Sequence, residues 1–413
     1  MKKRKYICLT YLFLLTLNLQ AQKLLDVYRN GIVRLTEVEE YGQKNNWEQI
    51  FFDYTKMSGQ KQIGKVKNIA VAPDGSVFMS DLTTYTIAKF DKDGNFQKRF
   101  GQKGGKNKDF LYDPAISGVL DNKYVITYDL QGRIQLFTLN GDFVKLVKLD
   151  YIPNRIVPLK DSYVAIKGFV VTTKGSKQFI EIRNLDTGSK KMIWQRMDVY
   201  QIKRVIIGSN SYLMKEPFLF YSKKYYDPMI ERNKKGELIV AFSESGEIAQ
   251  YSPTGTLLRK FKSDVEPLSV SVEELKSNIE RAKQQMEKEM DDDKLKPEEK
   301  EKMIKEYVSR ANSRIESGMY QETMPCFSSF IVDSDDNLLL FEFSREKDNQ
   351  FRVHTLDQQG KSVATSSFQS DHYSLSFIPG KFTFFNGCIY AVGMVKEGGG
   401  EVPLRLVKFE IKN

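Results

Sequence analysis

A pair of turn residues recurs along this chain at a fixed spacing, and this recurrence constrains the fold more than any other feature. Gly75 and Gly94 stand nineteen residues apart, as do Gly236 and Gly255, and Asn122 and Gly141 repeat the spacing. Between the glycines, Ile87-Ala88-Lys89-Phe90 aligns without a gap on Ile248-Ala249-Gln250-Tyr251. Ile134 and Phe137 take the matching slots of the Asn122 copy. Asn is the residue that best replaces Gly at a left-handed turn position. Internal periods of about 20–50 residues mark stacked or circular repeat folds.

Each copy reads as short strands joined by tight turns. Ile69-Ala70-Val71, Val77-Phe78-Met79, Ile87 to Phe90 and Phe96 to Phe100 give four strands, with Asp74-Gly75 and Asp93-Gly94 as hairpin turns. Pro114, Pro153 and Pro228 each precede a first turn by eight residues. There a proline can open a strand without removing a ladder donor. Pro153 to Trp194 reads as a further unit with a long middle loop, Gly168 to Lys177. Pro325 to Phe368 reads as another, turning at Asp335-Asp336-Asn337 and Gln359-Gly360. Phe382 to Ile411 supplies only about three strands, and Ile32 to Glu39 or Trp47 to Tyr54 is expected to supply the fourth. Six four-stranded units closed by mixing the termini make an all-β, six-bladed β-propeller, a ring that leaves no long sheet edge open.

The unit Ile69 to Gly101 resembles an NHL repeat through Asp74-Gly75, Asp81, Ile87, Phe90 and Gly94. Thr84 and Thr86 stand where that family often has Asn and Arg. The layout is also similar to that of exported six-bladed propellers of Bacteroidetes. The resemblance implies a fold and a compartment rather than an activity.

Ser271 to Ser317 departs from the strand pattern. Ser271-Val-Glu-Glu274 has capping-box spacing, and Val272, Leu275, Ile279, Ala282 and Met286 follow at helical intervals. Asp291 to Asp293 interrupts the pattern, and Pro297 can open a second helix whose apolar face is Met303, Ile304, Tyr307, Val308, Ala311 and Ile315. Residues 271–317 are thus expected to form a helical hairpin inserted between the fourth and fifth blades. Its apolar stripes are expected to pack on each other and partly on the propeller rim.

Residues 1–21 read as a signal peptide, leaving 22–413 as the propeller. Lys2, Lys3, Arg4 and Lys5 precede an apolar run, Ile7 to Leu19, that is thirteen residues long. A bilayer span needs about 20 residues, so cleavage near Ala21 is favoured over retention as an anchor. The chain of 413 residues carries 63 basic and 53 acidic side chains. Four of the basic ones lie in this leader, and the remaining excess is spread without an Arg-rich stripe. Export to the periplasm or the extracellular space, with no integral span after cleavage, and no nucleic-acid partner are the expectations.

No phosphate loop, His-Glu-x-x-His or Cys-x-x-Cys is present, and Gly398 to Gly400 lacks the strand-then-helix context of a nucleotide site. His354 and His372 have no readable metal partner. Cys326 and Cys388 read as buried free thiols, with a disulfide as the lesser alternative in an oxidising compartment. Connections between blades, and those between second and third strands, emerge on one face. That face gathers Tyr85, Lys103, Lys106, Arg133, Tyr225, Tyr226 and Arg345, where aromatics beside cations can stack on sugars or meet acidic groups. The expected function is therefore non-catalytic binding of an envelope protein, peptide or glycan on this loop-rich face, with no cofactor. The alternative is a calcium-dependent lactonase or esterase, with calcium drawn to Asp113, Asp227, Glu231 and Asp333.

Overall fold

The computed structural model describes residues 24–50, 66–82, 84–172, 175–198, 203–207, 210–214, 228–290, 296–318, 320, 322–343, 351–377, 380–397 and 403–412. The chain is mostly β. After a short helix over 24–29, strand β1 covers Ile32–Glu37, and a helical turn spans Trp47–Ile50. Four antiparallel sheets of four strands, each in simple chain order, account for most of the rest. The first holds β2 (Val66–Val71), β3 (Val77–Asp81), β4 (Thr86–Phe90) and β5 (Phe96–Phe100). The second holds β6 (Ala115–Leu120), β7 (Tyr124–Asp129), β8 (Arg133–Thr138) and β9 (Phe143–Lys148). The third holds β10 (Ile152–Pro158), β11 (Tyr163–Thr172), β12 (Gly175–Asn184) and β13 (Lys190–Asp198). A hairpin of β14 (Lys203–Ile207) and β15 (Asn210–Met214) precedes the fourth, made of β16 (Met229–Arg232), β17 (Leu238–Phe242), β18 (Glu247–Tyr251) and β19 (Leu257–Lys262).

The remaining strands form one nine-stranded sheet. Its first four are β20 (Ser329–Val332), β21 (Leu338–Phe341), β22 (Phe351–Leu356) and β23 (Ser362–Gln369). Its last four are β24 (Tyr373–Ser374), β25 (Phe382–Phe385), β26 (Cys388–Val395) and β27 (Leu404–Lys412), with β24 and β25 both paired to β26. β1 joins the two sets. It runs parallel to β23, with Ile32 opposite Ser367, and antiparallel to β27, with Leu35 opposite Ile411. Of the two N-terminal segments expected to supply a strand, Ile32–Glu37 does so. Trp47–Ile50 is helical, and Phe51 to Tyr54 lie outside the described residues.

The strand sequences explain why the sheets stand side by side. A strand with one wet face alternates apolar and polar residues, but Val77–Asp81 is buried throughout. Val77 and Met79 enter a cluster with Tyr390, Leu404 and Leu406, whereas Phe78 enters one with Ile116, Val125 and Phe137. β17 divides in the same way: Leu238 and Val240 meet Val157 and Ile180, while Ile239 and Ala241 meet Phe330 and Leu340. Each of these two sheets is thus an inner layer with apolar neighbours on both faces. The first strands β2, β6, β10, β16 and β20 adjoin in that order, and β25 adjoins β2. Fully buried Phe78, Phe137, Phe330, Phe341 and Phe409 lie in these seams. Each such side chain contributes about 2–3 kcal/mol of burial.

The recurring glycine of the second turn has two physical reasons. Gly141 has φ +82°, and a Cβ there would lie 2.6 Å from the Phe100 ring of the preceding sheet. Gly94 takes Tyr41 in the same way, and Gly360 takes Phe261. A positive φ and a ring pressed on the backbone both select glycine.

Of the segment Gly168 to Lys177, expected as a loop, residues 168–172 and 175–177 are instead paired strand, with Phe169 opposite Gln178 and Val171 opposite Ser176. Gly168 is there for packing: a Cβ would sit 2.9 Å from the Tyr151 ring.

Residues 24–50 form a strap across three strand sets. The Tyr28 hydroxyl donates to Asp333 Oδ2 at 3.1 Å, and its ring stacks on Phe368 at 5.9 Å. Further on, Asn45 Nδ2 donates to the Gly94 carbonyl at 2.7 Å, and its Oδ1 accepts the Phe96 amide at 2.8 Å.

The segment after β19 forms two helices, Val272–Met290 and Pro297–Glu316. Ser271 Oγ accepts the Glu274 amide at 3.1 Å, so the cap forms as its spacing predicts. The stem is closed by Val270 donating to the Glu322 carbonyl and Met324 to the Leu268 carbonyl. The cluster of Leu275, Ile279, Ala311 and Ile315, with Val270, Val272, Val308 and Tyr320 around it, belongs wholly to the hairpin and its stem. The helices therefore bury their stripes chiefly against each other.

Two outcomes follow from this packing. Gly141→Ala should destabilise the chain by about 2–4 kcal/mol in urea unfolding, through the strained φ and the displaced Phe100 ring. Burial raises the Asp333 carboxyl to about 6, against the amides of Asp335 and Asn337 and the Asn337 side chain, which hold it down. The folded state then keeps a proton that the unfolded state loses between about pH 4 and 6, so this group makes stability fall as pH rises across that window. Asp333→Asn should remove up to about 3 kcal/mol of that fall, read as a flatter dependence of unfolding free energy on pH.

Candidate functional site

The connection from β5 to β6, residues 101–114, is the most elaborately held loop of the face identified from the sequence. Its two limbs are tied by Phe110 donating to the Gln102 carbonyl at 2.8 Å and Gly104 to the Phe110 carbonyl at 3.1 Å. Phe110 itself is fully buried and plugs the loop into the seam between the first two sheets. At the tip, Asp109 Oδ2 accepts the Lys106 amide at 3.0 Å, while the Asp109 amide donates to the Lys106 carbonyl.

The second sheet grips this tip from below. Arg133 Nη2 donates to the carbonyls of Lys106 at 2.8 Å and Asn107 at 3.3 Å. Gln135 Nε2 donates to those of Asn107 at 2.9 Å and Asp109 at 2.7 Å. Asp129 accepts the amides of Gln131 and Arg133 on one oxygen and that of Leu111 on the other. Burial raises the Asp129 carboxyl, and these amides and the Arg133 charge oppose that shift. A loop with so many carbonyls fixed by buried donors keeps its shape in solution.

That shape determines what the loop presents. Lys103, Lys106 and Lys108 are exposed, and Lys103 Nζ lies 4.8 Å from the centre of the Tyr85 ring. Leu111 and Tyr112 are 43% and 50% exposed, high for such side chains. Of the residues expected on this face, Tyr85, Lys103, Lys106 and Arg133 come together. Arg133 is buried beneath the loop and acts as its fastening, so its guanidinium is not presented to a ligand. Tyr225, Tyr226 and Arg345 lie outside the described residues. Sequence reasoning missed Leu111 and Tyr112, although two large side chains immediately before Asp113-Pro114, where a strand opens, were a usable signal.

Two of the carboxylates considered for calcium, Glu231 and Asp333, have partners of their own. Glu231 pairs with Arg155 between the first strands of the third and fourth sheets. Asp333 holds its own turn and Tyr28, and Asp227 is outside the described residues. Among the described residues no group of three or more His, Cys, Asp or Glu side chains is placed to hold a metal ion. His354 Nε2 lies 2.5 Å from Glu342 Oε1, and Thr365 meets its other nitrogen. Cys326 and Cys388 are free thiols in different seams, both pushed up by burial. Among the described residues no helix is long and apolar enough to cross a membrane.

No protein-family model matches the chain, and no curated protein matches it in sequence. Solved structures do resemble it. An exported protein from Bacteroides fragilis is 11% identical, with 92% of this chain and 95% of that chain covered and a TM-score of 0.46. A member of the duf4221 family from Bacteroides vulgatus is 14% identical, covering 86% and 94%, with a TM-score of 0.42. A gluconolactonase from Xanthomonas campestris is 10% identical, covering 85% and 87%, with a TM-score of 0.41. At these values the likenesses carry neither activity nor substrate over to this chain.

If Arg133 and Gln135 fasten the loop, replacing Gln135 with Ala should speed amide hydrogen exchange across residues 104–111 by about tenfold, the effect of roughly 1–2 kcal/mol of lost bonding. Amides of the fourth sheet should be unchanged in the same mass-spectrometric measurement.

Proposed function

We propose that the chain is an exported six-bladed propeller of NHL-like repeats that serves as a non-catalytic binding scaffold. It takes an envelope protein, peptide or glycan on its loop-rich face. The ring reading is supported by the adjoining first strands, by the contact of β25 with β2, and by β1, which joins the last two strand sets through β23 and β27. Export is supported by the basic and then apolar leader.

The observation that carries the binding role is the stiff loop 101–114. Its buried fastenings hold Lys103 over Tyr85 and expose Lys106, Lys108, Leu111 and Tyr112 on the same loop. Preorganisation lowers the ordering cost of association, and lysines beside aromatics suit a ligand that offers carboxylates next to apolar surface. An acidic peptide or an acidic glycan has that chemistry.

The test uses residues 22–413 immobilised on a biosensor and probed with polyglutamate and polygalacturonate across a salt series. Salt-sensitive binding to one of them is expected, weakened about three- to fivefold by Lys103→Ala, the worth of one exposed cation–π and charge contact. Binding to neither polymer, or equal affinity in Lys103→Ala and Tyr112→Ala, would overturn the assignment of this loop.

A further inference from the structure

We infer that a second site, for a neutral sugar residue of a glycan, lies in the crevice between the outer strand of the third sheet and the β17–β18 turn of the fourth. The crevice encloses about 280 Å³ and is lined by Trp194, Gln195, Arg196, Phe242, Glu244 and Ser245. A volume of this order holds a small ligand such as one hexose ring with some water, and is tight for a folded peptide segment.

The lining has the chemistry that a pyranose needs. Trp194 and Phe242 are half-buried, their ring centres 6.2 Å apart and tilted by 54°, so they make an angled apolar wall. Both pack against the seam that Ile180, Ile230 and Val240 fill and also line the crevice. The Arg196 guanidinium lies 5.6 Å from the Trp194 ring centre, which orients it at the rim. Gln195, Glu244 and Ser245 are exposed. An aromatic wall accepts the C–H face of a sugar, while a carboxylate, a guanidinium and a hydroxyl bond its ring of hydroxyls.

The charges select a neutral ligand. Arg196 and Glu244 offer one cation and one anion, so neither a run of carboxylates nor a run of ammonium groups is favoured, whereas hydroxyls donate to one and accept from the other. The register of the third sheet places this wall where it can be used. Trp194 and Arg196 stand two residues apart on β13, opposite Ile180 and Gln178, and so share the face toward the fourth sheet. This site stands independently of loop 101–114, which lies at the seam of the first two sheets.

A bland alternative is that Trp194 only seals its seam. Substitutions on the exposed turn separate the two, because they leave the seam intact. Residues 22–413 are titrated with cellopentaose, chitopentaose, xylopentaose and maltopentaose by calorimetry, with pentaglutamate as the acidic control. Saturable binding of at least one sugar is expected. It should weaken about three- to tenfold in Glu244→Gln and at least about tenfold in Trp194→Ala. Trp194→Phe, which keeps an aromatic wall, should recover part of the loss. Trp194→Ala should lower the melting temperature, because its ring packs in the seam, but Glu244→Gln should not, so a change in affinity there reads the crevice alone. No binding of any of the four sugars, or sugar binding equal in Glu244→Gln and the parent, overturns the site. Saturation by pentaglutamate alone overturns the neutral class.

Discussion

A β-sheet that buries both faces cannot end a fold; it needs a neighbour on either side. That requirement governs this chain. Val77-Phe78-Met79 sends successive side chains into different seams, as do Leu238-Ile239-Val240 and the middle strands of the other sheets. A linear stack of such sheets would leave two large apolar faces wet. The contact of β25 with β2 at one end of the series, and the packing of Leu339, Phe341 and Val353 against Phe382, Ile389 and Phe409 at the other, cover those faces.

The seams also account for the glycine spacing. The ring of Phe100 lies on Gly141 and that of Phe261 on Gly360, each reaching from an outer strand to the turn of the next set, and that of Tyr41 reaches Gly94 from the strap. The local demand for a left-handed turn and the long-range demand for a flat landing place fall on the same residue. At Gly255 the left-handed turn recurs with aliphatic neighbours instead, Lys191, Ile182 and Ile193, so there the turn alone selects glycine.

Features governed by local chemistry were therefore legible in the sequence. The turns at Asp74-Gly75 and Asp93-Gly94, the cap at Ser271 and the start at Pro297 depend on residues within a few positions of each other. Gly168 misled because its glycine serves the Tyr151 ring across the sheet, a contact with no local signature. The site was legible to the same degree. Tyr85 and Lys103 meet because strand direction sends both connections out at one end. Arg133 read as a surface cation, yet loop carbonyls 26 or 27 residues earlier cover it. The Trp194 crevice forms only where the outer edge of one sheet meets the turn of the next, so no window of sequence contains it.

The strap over residues 24–50 inverts the order in which the protein can be completed. Its bonding partners include β23, β27 and Asp333, all in the last third of the chain. A chain that emerges from a ribosome or an export channel with its N-terminus leading carries this strap out first and must leave it unpaired until the final strand follows. Until then the sheets already formed expose an apolar face at each end of the series, the condition that invites association with other chains. Loss of even the last dozen residues would remove β27 and, with it, the antiparallel partner on which the leading strand depends, so a defect at one end of the chain leaves the other end unpaired.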